Sequence, residues 1–229
     1  MSMPIYVSPE QQMADRAQFA RDGIAKGRSV IVRRFADGIL LLAENRSSLL
    51  HKVAEIYDRI GFGAVGRYNE FENLRLAGIR HADMRGYAYH RDDVTGRGLA
   101  NAYAQLMGTH FSSAFEKPFE VALAVAELGE DSDADQIFFV NYDGQLIDEP
   151  DFTVLGGNAA AIRDELDDNF NASDSLTDAV AKCVQILSAV GESKIAPQDL
   201  ELGLLDRNRT HRRKFVRFDD SQIAKLLDA

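Results

Sequence analysis

The sequence predicts an α+β protein built in layers, helix, sheet, sheet, helix, with two antiparallel sheets at its centre. Three observations carry that prediction. Segments of strand character come in blocks and segments of helical period come in pairs, so their order does not alternate as a parallel α/β sheet requires. Two Asp-Gly pairs, Asp37-Gly38 and Asp143-Gly144, fall between such strands and permit the positive φ of a tight hairpin. Ile39-Leu40-Leu41-Leu42-Ala43, Val121-Ala122-Leu123-Ala124-Val125-Ala126 and Ile137-Phe138-Phe139-Val140 are apolar at consecutive positions, so both strand faces are covered, one by a second sheet and one by helices.

Each element follows in order. Ser8-Pro9-Glu10 starts a helix, with serine as cap, proline in the first turn and an acid suited to the dipole. Met13, Ala17, Ala20 and Ile24 repeat at helical spacing, and Gly27 closes the segment. Strands over residues 29–35 and 39–44 form the first hairpin, and a second pair covers 52–57 and 60–65. From Arg67 the period lengthens: Phe71, Leu74, Gly78 and Ala82 mark a helix ending near Gly86. Asp92 and Asp93 are expected to cap the next helix, with Leu99, Ala102, Tyr103, Leu106 and His110 on one face. Strands over 119–128, 136–142 and 145–147 follow, with the acidic stretch 129–135 as an exposed turn. Helices over 158–170 and 173–189 are separated by Asn171-Ala172-Ser173, and strands near 200–205 and 214–218 precede a last helix over 221–227. The expectation is one domain over residues 1–229, with 1–8 as a tail and 9–26 as an N-terminal helix.

At 229 residues, 45% hydrophobic and 27% charged, the chain has the size and composition of a globular domain with a sizeable core. A net charge of −10 repels phosphate backbones, which disfavours nucleic acid as a partner. The single cysteine, Cys183, excludes an intramolecular disulfide and a cysteine-based zinc cluster, and fits a reducing cytoplasm. Leu176, Val180, Val184 and Leu187 share its helical face, so Cys183 is expected in the core. The first residues lack a basic start with a long apolar run, and no stretch reaches membrane-spanning length. The expectation is a soluble cytoplasmic protein without a membrane partner, in which the sequons at Asn45, Asn171 and Asn208 are chance matches.

No cofactor or metal is expected. His81, His90 and His110, with Asp83 and Asp92, match no compact ligand spacing. Gly156-Gly157-Asn158 lacks a full glycine-rich phosphate motif and reads as a turn with a helix cap. The basic run from Arg207 to Lys214 is flanked by strands and lacks an aromatic ladder. It suits a solvated loop or an acidic subunit neighbour better than RNA.

Gly27-Arg28-Ser29-Val30-Ile31-Val32 resembles the opening strand of an N-terminal-nucleophile hydrolase. In such enzymes the first residue of the mature chain is the nucleophile and its own α-amino group takes the proton. Here an amphipathic segment precedes the strand, and Arg28 and Ser29 stand where a free N-terminal threonine is required. Further stretches are more specific: Ser8-Pro9-Glu10-Gln11, Ala20-Arg21-Asp22-Gly23-Ile24-Ala25-Lys26-Gly27, Leu50-His51-Lys52-Val53-Ala54-Glu55-Ile56-Tyr57, Gly66-Arg67-Tyr68-Asn69-Glu70-Phe71 and Gly98-Leu99-Ala100-Asn101-Ala102-Tyr103. Together they resemble the α-subunits of actinobacterial 20S proteasomes over nearly the whole chain.

The resemblance implies a four-layer αββα fold of N-terminal-nucleophile hydrolase type, a homo-heptameric ring, and two such rings capping rings of catalytic β-subunits. It implies a gate for unfolded protein substrates formed by Pro4, Ile5, Tyr6, Val7, Ser8 and Pro9, and a pore-narrowing loop of Ser113, Ala114, Phe115 and Glu116. It also implies a pocket of Lys52, Gly66 and Arg67, in which the lysine receives the C-terminal carboxylate of a ring-shaped ATPase activator. The chain departs from the wider family at Tyr6-Val7-Ser8, which lacks the Tyr-Asp-Arg tail triplet, and at Phe19, which replaces a helix tyrosine. The alternative is a self-processing amidohydrolase in which Ser29, Lys52 and Glu44 act as nucleophile, lysine and carboxylate. That chemistry requires cleavage before Ser29.

Overall fold

The computed structural model describes residues 8–228, so the predicted gate residues Pro4, Ile5, Tyr6 and Val7 lie outside the described residues. Ser8 caps the first helix as expected: its hydroxyl accepts the Gln11 N–H at 3.2 Å, and Pro9 opens α1 (Pro9–Ala25). Four strands follow, β1 (Val30–Phe35), β2 (Gly38–Glu44), β3 (Val53–Tyr57) and β4 (Ile60–Gly66), and then the helices α2 (Tyr68–Ala88) and α3 (Gly96–Ser112). A second block holds β5 (Val121–Glu127), β6 (Gln136–Val140), β7 (Leu146–Glu149) and β8 (Phe152–Leu155). Then come α4 (Ala159–Asn169), α5 (Leu176–Val190), β9 (Leu200–Asp206), β10 (Phe215–Arg217) and α6 (Asp220–Leu227).

The strands form two five-stranded antiparallel sheets, ordered β10-β9-β2-β1-β8 and β3-β4-β5-β6-β7. Strand alternation divides the core into three apolar layers. Ile31, Leu40 and Leu42 meet Cys183, Leu187 and Leu166 of the helices on one side. Val30, Val32 and Leu41 point the other way, onto Ala122, Ala124 and Ala126 of the second sheet. Phe62, Leu123 and Val125 of that sheet meet Leu74, Leu99 and Met107 of α2 and α3. The result is the layered αββα sandwich. Leu40, Leu41 and Leu42 are all fully buried, and each contributes roughly 1.5–3 kcal/mol by leaving water.

Four local differences from expectation have physical causes. Strand β8 lies outside the strands the sequence pattern marks: four residues after Pro150-Asp151 carry little pattern, yet they pair with β1 from Arg33↔Phe152 to Val30↔Leu155. Helix α2 runs past Gly86, because that glycine serves a close approach: a Cβ there would lie 2.3 Å from the Tyr57 hydroxyl. Asp92 and Asp93 do not cap α3. They belong to a 3-10 turn, Arg91–Asp93, and Thr95 caps α3 through the Gly98 N–H at 3.1 Å. The buried face of α3 is Leu99, Ala100, Tyr103 and Met107, which leaves Leu106 on the outside.

The break between α4 and α5 is held from beneath by Arg33, a fully buried side chain of β1. Its guanidinium donates to the Asp174 carboxylate at 2.8 Å and the Asn171 carbonyl at 3.0 Å, and stacks 4.9 Å from the Phe170 ring centre. Lys182 reaches the same carboxylate at 2.7 Å. Burial alone would raise the Asp174 pKa, but the hydrogen bonds from Lys182 and Arg33 outweigh it and hold the group below the ordinary range.

Candidate functional site

Lys52 lies at the end of the loop joining β2 to β3, and that loop is organised by one buried acid. The Glu201 carboxylate accepts from the Lys52 backbone N–H at 2.8 Å and from the Asn45 amide at 2.8 Å, lies 3.0 Å from His51 Nδ1, and pairs with Arg217. Asn45 also donates to the Leu50 carbonyl at 2.7 Å. The loop therefore enters β3 in one conformation. The Lys52 side chain then reaches across the sheet end, where Nζ donates to the Arg28 carbonyl at 2.8 Å and the Glu44 carbonyl at 3.0 Å. An ammonium has three N–H donors, and these two carbonyls take two of them. Burial pushes the Lys52 pKa down to about 8; the Glu44 carboxylate opposes that fall and Arg28 adds to it.

Gly66 and Arg67 stand at the same end of the sandwich. The Lys52 carbonyl accepts the Ala64 N–H at 3.0 Å, two residues before Gly66. Gly66 has φ of +128°, and a Cβ there would lie 1.9 Å from the Glu120 carbonyl oxygen, so only glycine fits. A Cβ on Gly27 would lie 3.3 Å from the Gly66 nitrogen, which brings the end of α1 against the end of β4. Arg67 anchors its N–H on the Glu120 carbonyl at 3.0 Å and leaves its guanidinium mostly exposed, 3.4 Å from the Glu120 carboxylate. Lys117 lies 2.8 Å from that carboxylate, which balances the charge of this nearly buried acid. The region thus holds the partly buried Lys52 ammonium and the mostly exposed Arg67 guanidinium beside a glycine-lined backbone, with Arg28 and Lys117 and the carboxylates of Glu44 and Glu120 around them. That arrangement suits a carboxylate.

Ser8 and Pro9 start α1, and α1 is fastened to the other predicted segment. Arg16 donates to the His110 and Phe111 carbonyls at 2.8 and 3.0 Å, capping the end of α3 with a guanidinium. Directly beyond that end, Ser113, Ala114, Phe115 and Glu116 form the loop. Phe115 is 100% exposed, and Glu116 lies 3.2 Å from His110 Nδ1. Lys117 stacks its ammonium 5.4 Å from the Phe19 ring centre on α1. One helix therefore carries Ser8 and Pro9 and grips the base of the 113–116 loop.

The hydrolase-like arrangement is occupied differently. The Ser29 nitrogen is a peptide amide in a continuous chain behind α1, and Ser29 itself is buried. Two of the three Lys52 donors go to carbonyls, and Glu44 pairs with Arg28. No three His, Cys, Asp or Glu side chains converge as metal ligands among the described residues; His90 and His110 lie instead beside Asp92 and Glu116. No described helix is long and apolar enough to cross a membrane.

Sequence reasoning missed Glu120 and Glu201. Each interrupts an apolar run, Phe119-Glu120-Val121 and Leu200-Glu201-Leu202, and an acid in a buried strand is itself the signal of a paired charge.

Comparison with known proteins places these features in context. A family model described as proteasome subunit matches residues 24–205. A proteasome subunit alpha from a Nocardioides species is 58% identical over 229 residues, covering 99% of this chain and 90% of the relative. The proteasome subunit alpha of Streptomyces griseus is 53% identical over 100% of this chain and 86% of its own length. That of Acidothermus cellulolyticus is 52% identical over 99% of this chain and 98% of its own length.

Proposed function

The chain belongs to the proteasome subunit family as a non-catalytic α subunit, and from that premise we propose that it forms heptameric rings that cap catalytic β rings in the cytoplasm, gate substrate entry and dock an ATPase activator. In this reading residues 4–9 and the Ser113–Glu116 loop narrow an axial passage for unfolded proteins. Lys52, Gly66 and Arg67 receive the terminal carboxylate of an activator tail.

The observation that carries the docking role is the Lys52 ammonium, held by two backbone carbonyls with its hydration partly removed. An exposed lysine serving only solubility has no need of that costly arrangement. A charge-assisted hydrogen bond from such a group contributes about 1.5–3 kcal/mol, or roughly 10- to 150-fold in affinity. Lys52→Ala in the assembled particle is expected to weaken binding of a peptide with a free C-terminal carboxylate by at least about tenfold while assembly is retained. Equal affinity would remove the docking role. Failure of the chain to co-purify with a threonine-protease β subunit would remove the ring role.

A further inference from the structure

One carboxylate beside Arg67 is shared between two cations from different segments. Glu120, the residue before β5, is 7% exposed, and its two oxygens face different neighbours. Oε2 rests on α1, where a Cβ on Gly23 would lie 2.3 Å from it. Oε1 faces Arg67 Nε at 3.4 Å, from the start of α2, and Lys117 Nζ at 2.8 Å, from the residue after the 113–116 loop. It is buried and receives no aligned hydrogen bond from either. Charge alone therefore holds Arg67 to Glu120, and the Arg67 side chain is 56% exposed. Lys117 is the more firmly seated cation: it also pairs with Glu70, donates to the Pro118 carbonyl at 3.3 Å and stacks on Phe19. The Glu120 N–H donates to Glu70 at 2.8 Å, so the backbone of the shared acid is fixed as well.

We propose that Glu120 sets the affinity of the docking pocket: its carboxylate holds the Arg67 guanidinium while the pocket is empty, and an incoming terminal carboxylate takes Arg67 over while Lys117 keeps Glu120. The inference rests on the docking reading above and names the residue that regulates that site. A guanidinium presents a fork of N–H groups to a planar carboxylate, a geometry that the single unaligned contact with Glu120 does not use. The ligand therefore offers Arg67 the better-aligned partner. Glu120 opposes the exchange, because its own pairing with Arg67 must be given up and its charge repels a second carboxylate drawn to the same corner. Lys117 favours the exchange, because an acid neutralised by a fixed ammonium releases Arg67 more readily. The two residues thus move affinity in opposite directions, and Arg67 is the group through which both act.

The test measures anisotropy of a labelled peptide with a free C-terminal carboxylate on the assembled particle at about 0.15 M salt, with the amidated peptide as control. Glu120→Gln keeps the size of the side chain and removes its charge. It is expected to tighten binding of the carboxylate peptide about two- to fivefold, the worth of a partly exposed ion pair, and to leave the amidated peptide unchanged. Lys117→Met is expected to weaken binding of the carboxylate peptide by a similar factor. Both effects are expected to vanish when Arg67 is replaced by alanine. Unchanged or weaker binding in Glu120→Gln particles, or the same gain in particles without Arg67, overturns the proposal. Where Glu120→Gln fails to assemble, Lys117→Met decides: unchanged or tighter binding overturns it. Lys52→Ala separates the two levels. If it leaves affinity unchanged, the docking reading itself fails, whereas a weakening there with no response at Glu120 removes this inference alone.

Discussion

Docking of a carboxylate at Lys52 is expected to weaken as pH rises through about 8, the value to which burial lowers this lysine from 10.5. With that pKa the ammonium fraction falls from about 90% near pH 7 to about 10% near pH 9, so apparent affinity drops roughly tenfold, about 1.4 kcal/mol. An ordinary exposed lysine would stay almost wholly charged over the same interval. The fold responds with the opposite sign. Between about 8 and 10.5 the unfolded chain binds more protons at this residue than the folded one, so Lys52 contributes rising stability with pH while docking declines. The contribution of Lys52 to stability therefore runs opposite to its contribution to binding. The assay is fluorescence anisotropy of a labelled activator-tail peptide on the assembled particle at fixed ionic strength, with the C-terminally amidated peptide as control. Lys52→Arg keeps its charge throughout and is expected to flatten the pH profile. Wild-type affinity that is level from about pH 7 to pH 9 would refute the reasoning.

Gly66→Ala forces a Cβ onto the Glu120 carbonyl at a φ of +128°, and is expected to cost about 2–3 kcal/mol, a fall in Tm of roughly 5–10 °C by calorimetry. Asp174→Ala strands the buried Arg33 guanidinium and is expected to cost about 3–5 kcal/mol in denaturant unfolding; a change under about 1 kcal/mol would contradict the pairing. Phe115→Ala removes a ring that is fully exposed, so Tm is expected to stay unchanged while peptide entry into the assembled particle shifts.

Much of the fold was legible because its signals are local. The consecutive apolar positions of β2, β5 and β6 announced strands covered on both faces, the Asp37-Gly38 pair announced the β1–β2 hairpin, and Ser8-Pro9-Glu10 announced α1. The misses are places where a distant group decides. Gly86 looks like a helix stop until Tyr57 is seen against it, and β8 is too short to show a period before β1 supplies its partner. The candidate site divides in the same way. Nothing in the pattern around Lys52 marks it out without the family resemblance, because its character comes from carbonyls of Arg28 and Glu44 and from Glu201, which lies 149 residues away in sequence. Spacing along a chain carries no trace of such contacts.

The proposed gating role is tested most directly by removing residues 1–7 and measuring hydrolysis of a short fluorogenic peptide by the assembled particle. A rate several times higher is expected, with the isolated chain itself cleaving nothing. A rate equal to that of the intact particle would contradict it.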